Sequence, residues 1–341
     1  QLEYDLQDGF PLVTSRRVPF VNAFGDELWF LSCSSDAGVL EWQKNPVWSL
    51  WSLTEDDLKG APEKDPYGRR LYKGSCGPIY GEMLRKWPLR DGSTFDQIQY
   101  AIDTLRSDPT SRRIVISCWN PEFLPDEKKS PQENILDGKQ CLAPCHTLYQ
   151  FVTQKATISE RLRWLELNCP PAWFDKALQF IYQQTTPAPI RGLLRWIATR
   201  FKRSLYRSFQ DSDFTEIDQA RIMCMFDGMR VPDTVLNLKM FARSQDLPLG
   251  TVFNIASYAL LLSLMAEQTR MIPGRYVHTM SDAHIYEDQI PMVKQLLKQR
   301  TYPLPVLRIR PGVKSLFDYT IDDILIDRYV SGPFIKFPIA K

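Results

Sequence analysis

The sequence predicts an α+β fold, because helical and strand-like patterns are mixed along the chain without a regular β-α-β alternation. Residues 112–119 (RRIVISCW) and 146–154 (HTLYQFVTQ) alternate or are rich in β-branched side chains, which is typical of strands. Residues 20–31 (FVNAFGDELWFL) and 254–269 (NIASYALLLSLMAEQT) have the broad apolar faces of helices. No internal repeat is visible.

The other segments fill in this pattern. Residues 52–77 are polar and rich in Gly and Pro, so they predict loops. Residues 95–107 predict a helix whose N-terminal cap lies in STFDQI. Strand character returns at 233–244 (DTVLNLKMFARS), 276–288 (YVHTMSDAHIYED) and 304–311 (LPVLRIRP).

The composition is that of an ordinary globular protein. Of 341 residues, 44% are hydrophobic and 24% charged, and the net charge is +2. Such a charge gives no whole-molecule field for nucleic acid or membranes. Nothing resembles a transmembrane run of about 20 apolar residues.

The cysteines indicate reduced thiols. Seven are present, an odd number at irregular spacing, and no second pair accompanies Cys141 and Cys145 as a zinc site would require. The chain opens on QLEYDLQDGF without a signal-peptide pattern. We therefore expect no metal and a cytoplasmic location.

Composition changes over residues 156–232, which carry long helical periodicities and Pro-rich punctuation. Within them, residues 191–209 (RGLLRWIATRFKRSLYRSF) are basic and contain no acidic residue. Aromatic side chains interleave with these cations, so the segment could bind nucleic acid or a partner enzyme. The alternative is a helical decoration whose basic face is solvated.

Cys145, in CLAPCHTLYQF (141–151), is the residue with the most chemical interest. A nucleophilic cysteine needs positive charge nearby to form its thiolate. His146 is adjacent in sequence, but neighbouring strand residues point to opposite faces. From these residues alone, a small buried strand cysteine is the simpler interpretation.

Nearly the whole chain, apart from 156–232 and part of 52–76, resembles the thymidylate synthase family in the family's order. The matching segments are DLQDGFPLVTSRR (5–17), DPTSRRIVISCWNP (108–121), LAPCHTLYQF (142–151), ARSQDLPLGTVFNIASYALL (242–261), YVHTMSDAHIYEDQI (276–290), PLPVLRIRP (303–311), SLFDY (315–319) and FIKFPIAK (334–341). The resemblance implies a catalytic domain of residues 1–155 and 233–341, with a mixed sheet packed with helices. It also implies a mainly helical insertion at 156–232 and a homodimer formed through the sheet.

The resemblance further implies that the Cys145 thiolate adds to C6 of dUMP, so that C5 can attack the methylene of the co-substrate 5,10-methylenetetrahydrofolate. Arg243 matches the phosphate-binding arginine and would also lower the pKa of the thiol. Asn254 would read the uracil edge, and Tyr80 would lie near the base. By resemblance, the residues that bind dUMP are Arg112, Arg113, Gln150, Arg243, Ser244, Asn254, His284 and Tyr286. Arg112 and Arg113 would reach the other subunit's site.

The folate side is matched as well. Asp246 resembles the carboxylate that binds the pterin, and the C-terminal tail resembles one that closes over both ligands. Arg16 and Arg17 could meet the acidic end of the folate. The folate-binding residues implied are Trp48, Leu142, Asp246, Leu249, Gly250, Phe253 and Ala340. Without the resemblance, Arg112 and Arg113 fit a charged turn, Asn254 fits a helix N-cap, and the apolar residues fit a core.

Departures from the family pattern leave two reactions open. Where the family has a water-ordering catalytic glutamate, this chain has Asp26, followed by Glu27. Asp26 is the expected catalytic acid, since Glu27 lies about 100° further round the helix. This departure suggests a specialised, phage-like branch, so the expected cytoplasm is that of a bacterium or of a virus-infected host cell. Thymidylate synthase is the expected activity, and the alternative is a dUMP hydroxymethylase serving modified viral DNA.

Overall fold

A computed structural model describes residues 1–43, 47–185 and 210–339. The strands are β1 (Leu2–Asp5), β2 (Trp87–Pro88), β3 (Thr94–Phe95), β4 (Val115–Ser117), β5 (His146–Lys155), β6 (Thr234–Asp246), β7 (Ile272–His284), β8 (Val306–Ile309) and β9 (Ile324–Asp327). The α-helices are α1 (Phe20–Leu31), α2 (Tyr80–Arg85), α3 (Gln97–Ser107), α4 (Pro131–Leu136), α5 (Ile158–Asn168), α6 (Pro171–Thr185), α7 (Glu216–Gly228), α8 (Gly250–Thr269) and α9 (Ile290–Leu296).

A five-stranded mixed sheet organises the chain, in the order β1-β7-β6-β5-β4. β6 and β7 run parallel, and the other neighbours are antiparallel. This sheet and the helices packed on it confirm the predicted α+β class. The parallel pairing puts the C-terminal ends of β6 and β7 side by side, where Asp246 lies opposite His284.

Most predicted elements are present, with some changes of length. The helix predicted at 20–31 is α1 itself, and α3 begins after Asp96, whose carboxylate caps it by accepting from the Gln99 N–H. The strand predicted at 112–119 is wrong in its bounds, because only Val115–Ser117 pairs with β5. Arg112 and Arg113 lie outside the ladder.

Helix α8 packs on β6 and β7, α1 packs on α8, and the two helices form the main core with the sheet. The Ser257 hydroxyl of α8 donates to the Ala23 carbonyl of α1 at 2.9 Å, which fixes the crossing of the two helices. Among the described residues, α8 alone is long and apolar enough to cross a membrane. The protein itself buries 78% of that apolar window, as expected for a core helix.

The opposite face of the sheet presents apolar side chains to solvent. Along β5, Tyr149 and Phe151 are buried, while Leu148 and Val152 are 40% and 43% exposed. Phe241 of β6 is 38% exposed in the strand position paired with Leu148. An exposed apolar sheet face of this kind indicates a protein interface.

Helices α5, α6 and α7 lie between β5 and β6 and share a small hydrophobic core of their own. Arg161, only 2% exposed, joins the two ends of this segment. Its guanidinium donates at 2.6 Å both to the Asp227 carboxylate and to the Val231 carbonyl. The basic stretch 191–209 lies outside the described residues.

Candidate functional site

Cys145 lies just before β5, with its backbone held from two sides. Its N–H donates to the phenol oxygen of Tyr80 at 2.9 Å, and its carbonyl accepts from the Arg243 N–H at 2.8 Å. The thiol is free and the residue is partly exposed. A cysteine with a fixed backbone that remains partly exposed has the arrangement that a nucleophile needs.

The position of Tyr80 depends on the loop that precedes α2. Gly77 has a φ of +71°, and a Cβ added there would come within 2.2 Å of the Lys139 carbonyl oxygen, so only glycine fits. The loop then brings Tyr80 to the start of α2, where it is 7% exposed. Burial raises the pKa of Tyr80 well above its ordinary value, so the phenol stays protonated.

The Arg243 guanidinium is the cation that acts on Cys145. Its Nε donates to the Pro144 carbonyl at 2.9 Å and its Nη2 to the Ala143 carbonyl at 3.0 Å. These bonds fix the guanidinium against the loop that carries the thiol. Burial raises the pKa of Cys145, while the charge of Arg243 lowers it. Arg243 therefore favours the thiolate at a site that burial alone would keep protonated.

His146 is not placed as a base for Cys145. Its Nδ1 lies 2.7 Å from the Tyr258 hydroxyl, and its ring stacks on Tyr80 with centroids 4.2 Å apart. Burial, with a smaller effect of His278, lowers the pKa of His146 to about 3. His146 is thus a neutral ring that packs against the Tyr80 ring.

Asn254, on the first turns of α8, is oriented by a residue that the sequence did not single out. Its Nδ2 donates at 3.3 Å to Oε1 of Gln245, which is 2% exposed. The same Oε1 accepts from the Thr251 hydroxyl at 2.9 Å. Two donors on one oxygen fix the Gln245 amide, and this in turn fixes which way the Asn254 amide faces.

The ends of β6 and β7 bring several predicted residues together. Ser244 pairs with Asp282, and Asp246 pairs with His284, in the parallel ladder. His284 Nδ1 lies 3.2 Å from the Asp282 carboxylate, and its ring packs edge-on against Tyr286. The Asp246 Oδ1 accepts from the Leu249 N–H at 3.1 Å, which aims the carboxylate at the start of α8.

Trp48 belongs to an aromatic cluster beside Tyr80. Its ring centroid lies 5.2 Å from Trp29, 5.8 Å from Phe30 and 6.1 Å from Tyr80. Leu142 and Phe253 are partly buried and pack on the main core. Leu249 and Gly250 lie at the start of α8, and Ala340 lies outside the described residues.

Asp26 and Glu27 differ sharply in environment. Asp26 is partly exposed, whereas Glu27 is only 3% exposed. Burial, assisted by the charge of Asp26, raises the pKa of Glu27 to about 8. An ionised Glu27 would in turn raise the pKa values of Cys118 and Tyr258 inside the core. Glu27 is therefore a proton-holding acid near neutral pH, which the sequence assigned to neither core nor site.

The C-terminal tail is anchored to the body of the protein by Arg16. This side chain is 2% exposed, donates to the Pro248 carbonyl at 2.6 Å and to the Ile335 carbonyl at 3.4 Å, and lies 4.8 Å from the Phe337 ring centre. Its neighbour Arg17 is exposed and lines an open cavity of about 450 Å³. Of the two arginines expected to meet the folate, Arg17 is the accessible one.

Arg112 and Arg113 lie away from Cys145 in their own chain. Both are exposed beside β4, at the edge of the apolar sheet face. Gln150 is next to them, and its amide donates to the Arg112 carbonyl at 3.1 Å. No described residue makes a hydrogen bond or ion pair with either guanidinium, so both are available to a ligand or to a second copy of the chain.

Comparison with known proteins shows the family to which the chain belongs. The family model described as thymidylate synthase matches residues 1–169 and 199–341. The chain belongs to the thymidylate synthase family. Curated thymidylate synthases from Listeria monocytogenes serotype 4a (strain HCC23) and serovar 1/2a (strain EGD-e) are each 27% identical over 372 residues, covering 100% of this chain and 90% of the relative.

Membership of the thymidylate synthase family implies a folate-dependent one-carbon transferase that acts on dUMP. It also implies 5,10-methylenetetrahydrofolate as co-substrate and, usually, a homodimer. In the described part of the chain, no three His, Cys, Asp or Glu side chains are grouped as ligands of a metal ion.

The residues that sequence patterns did not identify are those that hydrogen-bond to residues of the family's motifs. Gln245 orients Asn254, and Gln289 contacts both Asp246 and the C-terminal tail. Gln289 accepts from the Tyr286 N–H, but a capping box in sequence begins with Ser or Thr, so no sequence signal marked Gln289. Nothing local in the sequence marks Gln245.

Proposed function

We propose that this protein is a thymidylate synthase, which transfers the one-carbon unit of 5,10-methylenetetrahydrofolate to C5 of dUMP and yields dTMP and dihydrofolate. The observation that carries this proposal is the pairing of Cys145 with Arg243, since both the backbone and the charge of Arg243 act on the cysteine. Family membership supplies the substrate class.

Uracil C5 is too weak a nucleophile to attack a one-carbon donor by itself. When the Cys145 thiolate adds to C6, the C5–C4–O4 unit becomes an enolate and C5 can form the new carbon–carbon bond. Loss of the C5 proton then breaks the bond between the transferred carbon and the folate nitrogen, which leaves an exocyclic methylene on the nucleotide. A hydride converts this methylene to a methyl group as Cys145 leaves C6 as a thiolate again. The bound folate supplies the methylene group and the hydride.

We assign the reading of the base to Asn254. Its amide can accept from uracil N3–H and donate to O4 with the N–H that Gln245 does not use. Tyr80, fixed against Cys145 and His146, would lie beside the bound base. His284 and Tyr286 would bind the sugar hydroxyl, and Arg243 and Ser244 the phosphate, for which a forked guanidinium is well suited.

The folate would lie against Asp246 and the aromatic cluster of Trp48. Leu142, Leu249, Gly250 and Phe253 would supply the remaining apolar wall, and the tail up to Ala340 would cover it. Water exclusion decides between hydride transfer and hydration of the transferred carbon. A tail held by Arg16 and a Trp48 packed among aromatic rings favour hydride transfer.

The alternative product is 5-hydroxymethyl-dUMP with release of tetrahydrofolate, as a dUMP hydroxymethylase would give. Asp26, in place of the family's glutamate, is the observation that favours it. The two reactions are separated by incubating the protein with dUMP and methylenetetrahydrofolate. Dihydrofolate absorbance should rise while the nucleotide gains the mass of a methyl group. Formation of 5-hydroxymethyl-dUMP without dihydrofolate would establish the hydroxymethylase, and Cys145→Ser should abolish either product but still bind dUMP.

We further propose a homodimer that uses the exposed sheet face of Leu148, Val152 and Phe241. Arg112 and Arg113 border this face next to Gln150, and the two arginines would complete the phosphate site of the other subunit. Mixing inactive Cys145→Ser with an inactive Arg112→Ala/Arg113→Ala protein should then restore about a quarter of wild-type activity, since half the dimers are mixed and one of their two sites is intact. No recovery after confirmed subunit exchange would mean that the arginines act within their own chain.

A further inference from the structure

We propose that Gln289 is a positioning residue that couples closure of the C-terminal tail to the orientation of Asp246, and so to folate binding. This inference rests on the proposed function for the role of Asp246. The coupling itself depends on the three hydrogen bonds that the Gln289 amide makes with Tyr286, Asp246 and Pro338, and it can be measured without any substrate.

Gln289 follows Tyr286 in a short helical turn and is completely buried, with 0% exposure. Its Oε1 accepts from the Tyr286 N–H at 3.2 Å, and its own N–H donates to the Tyr286 carbonyl at 3.0 Å. Since the oxygen of the amide is used by Tyr286, the nitrogen must face the other way. The side chain therefore has a defined direction.

The amide nitrogen faces two acceptors from different parts of the chain. Its Nε2 donates to the Asp246 Oδ2 at 2.8 Å and to the Pro338 carbonyl at 3.2 Å. An NH2 group has two protons, so both are used when the tail is in place. In the described residues, Gln289 is the side chain that hydrogen-bonds to both Asp246 and the tail.

Each acceptor is also fixed on its other side. The second oxygen of Asp246 accepts from the Leu249 N–H at 3.1 Å, so Gln289 and Leu249 together set the plane of the carboxylate. The tail is held three residues earlier, where Ile335 is 3% exposed and accepts from Arg16. Arg16 thus anchors the tail at Ile335, and Gln289 links the tail at Pro338 to the Asp246 carboxylate.

Lifting the tail from Pro338 would leave one N–H of a fully buried amide without a partner, which is unfavourable. The amide could then rotate toward Asp246 or admit water, and either change would alter the carboxylate that binds the pterin. Conversely, a pterin that holds Asp246 in place holds Gln289 in the orientation that receives the tail. The link is therefore reciprocal, as any coupling between two binding events must be.

The test compares Gln289→Met, which keeps the size of the side chain and removes its hydrogen bonds, with the matched control Gln97→Met. Gln97 is also buried, at 8% exposure, and its Nε2 donates to the Met83 and Ser117 carbonyls in another part of the core. Hydrogen exchange of peptides covering residues 330–339 is measured in both variants and in the wild type, without ligand and with dUMP plus tetrahydrofolate.

We expect Gln289→Met to speed exchange in the tail about tenfold or more, since it removes one buried hydrogen bond, while Gln97→Met leaves it unchanged. Asp246→Asn should loosen the tail as well, and the double variant should be no looser than the single ones, because both act through one link. In steady state, Gln289→Met should raise the KM for methylenetetrahydrofolate far more than the KM for dUMP. Tail exchange equal to wild type in Gln289→Met would overturn the proposal.

The outcomes also separate this inference from the proposed function. If the wild type makes neither dTMP nor 5-hydroxymethyl-dUMP, the proposed function fails, while ligand-free exchange still decides the coupling. If Gln289→Met does not fold, Gln289→Glu replaces it, since this isosteric variant keeps the acceptor for Tyr286 and places an acid against Asp246. Faster tail exchange in Gln289→Glu, reversed on lowering the pH, supports the coupling, and wild-type exchange at every pH rejects it.

Discussion

The backbone N–H of Cys145 donates a 2.9 Å hydrogen bond to the phenol oxygen of Tyr80, which ties the loop before β5 to the first turn of α2. The Tyr80 ring also lies flat on His146, within 10° of parallel. His146 is in turn held by the Tyr258 hydroxyl on α8. The position of the thiol is therefore set by three elements that are distant in sequence, and Tyr80 is the point at which they meet.

We predict that Tyr80→Phe lowers kcat about ten- to hundredfold with little change in dUMP affinity, because an unpaired buried donor costs about 1–3 kcal/mol and the loop that carries the thiol would shift to satisfy it. Steady-state kinetics and dUMP titration measure the two effects. Tyr149→Phe is the matched control, since Tyr149 is 1% exposed and its hydroxyl has no hydrogen-bond partner among the described residues. Equal kcat values for Tyr80→Phe and Tyr149→Phe would show that the Tyr80 hydroxyl does not position the thiol and that Tyr80 contributes packing alone.

A second prediction concerns the electrostatic effect of Arg243 on Cys145. Burial raises the pKa of this thiol and Arg243 lowers it, so Arg243→Gln should move the pH at which Cys145 becomes a thiolate upward. Alkylation of Cys145 by iodoacetamide, followed by mass spectrometry of its peptide, should slow several-fold at pH 7 and recover at higher pH. Arg243→Lys, which keeps the charge, should be affected less.

Arg221→Gln is the control for a general change of net charge, since Arg221 is exposed on α7. It should leave the pH dependence of Cys145 alkylation unchanged. If Arg243→Gln gave the wild-type pH profile, the thiolate would have to owe its stability to another group.

The elements of this fold were predictable wherever the signal is local. The apolar pattern of 20–31 defines α1 to the residue, because one face of that helix must meet the core. The strand at 112–119 was overestimated, because Arg112 and Arg113 share its composition but have no neighbour to pair with at the sheet edge. Which residues of a strand find a pairing partner depends on the fold and cannot be predicted from the local sequence.

The same limit applies to the site. Cys145, Arg243, Asn254 and Asp246 were identified through motifs, but the burial that separates Asp26 from Glu27 depends on how α1 meets the core. Gln245 and Gln289 are ordinary glutamines in sequence. Their importance comes from the two donors that the folded chain places beside the Gln245 oxygen and the two acceptors that it places beside the Gln289 nitrogen.

Glu27 leads to a prediction about stability and pH. Its pKa of about 8 in the folded protein lies above the ordinary carboxyl value, so the native state keeps a proton that the unfolded chain releases. The free energy of unfolding should therefore fall as the pH rises from about 5 to about 8. Glu27→Gln removes the pH dependence that Glu27 causes. The variant should be more stable than the wild type at pH 8.5 by up to roughly a few kcal/mol, and the two proteins should differ little at pH 5. Urea unfolding at several pH values measures the free energy of unfolding of both proteins. If that free energy changed with pH in parallel for the two proteins, the prediction would be contradicted.

The two neighbouring acids also make separate predictions for catalysis. If Asp26 orders the water that moves protons, as the family resemblance implies, Asp26→Asn should lower kcat by tenfold or more, in the usual range for a proton-transfer group. Glu27→Gln should then leave kcat nearly unchanged. The reverse result, together with a wild-type kcat that declines above pH 8 as Glu27 ionises, would transfer the role to Glu27.

The choice of base should depend on Gln245. A 180° turn of the Asn254 amide would exchange its oxygen and nitrogen and match the cytosine edge, which donates from N4 and accepts at N3. The bond from Asn254 Nδ2 to Gln245 Oε1 opposes that turn. Gln245→Met should therefore lower the preference for dUMP over dCMP by roughly tenfold, as kcat/KM ratios would show. Thr251→Val, which removes the other donor to the same oxygen, should give a smaller change of the same sign. Gln97→Met should leave the ratio at its wild-type value. A Gln245→Met enzyme that loses activity toward both nucleotides in equal proportion would show that Gln245 supports packing and does not set the orientation of Asn254.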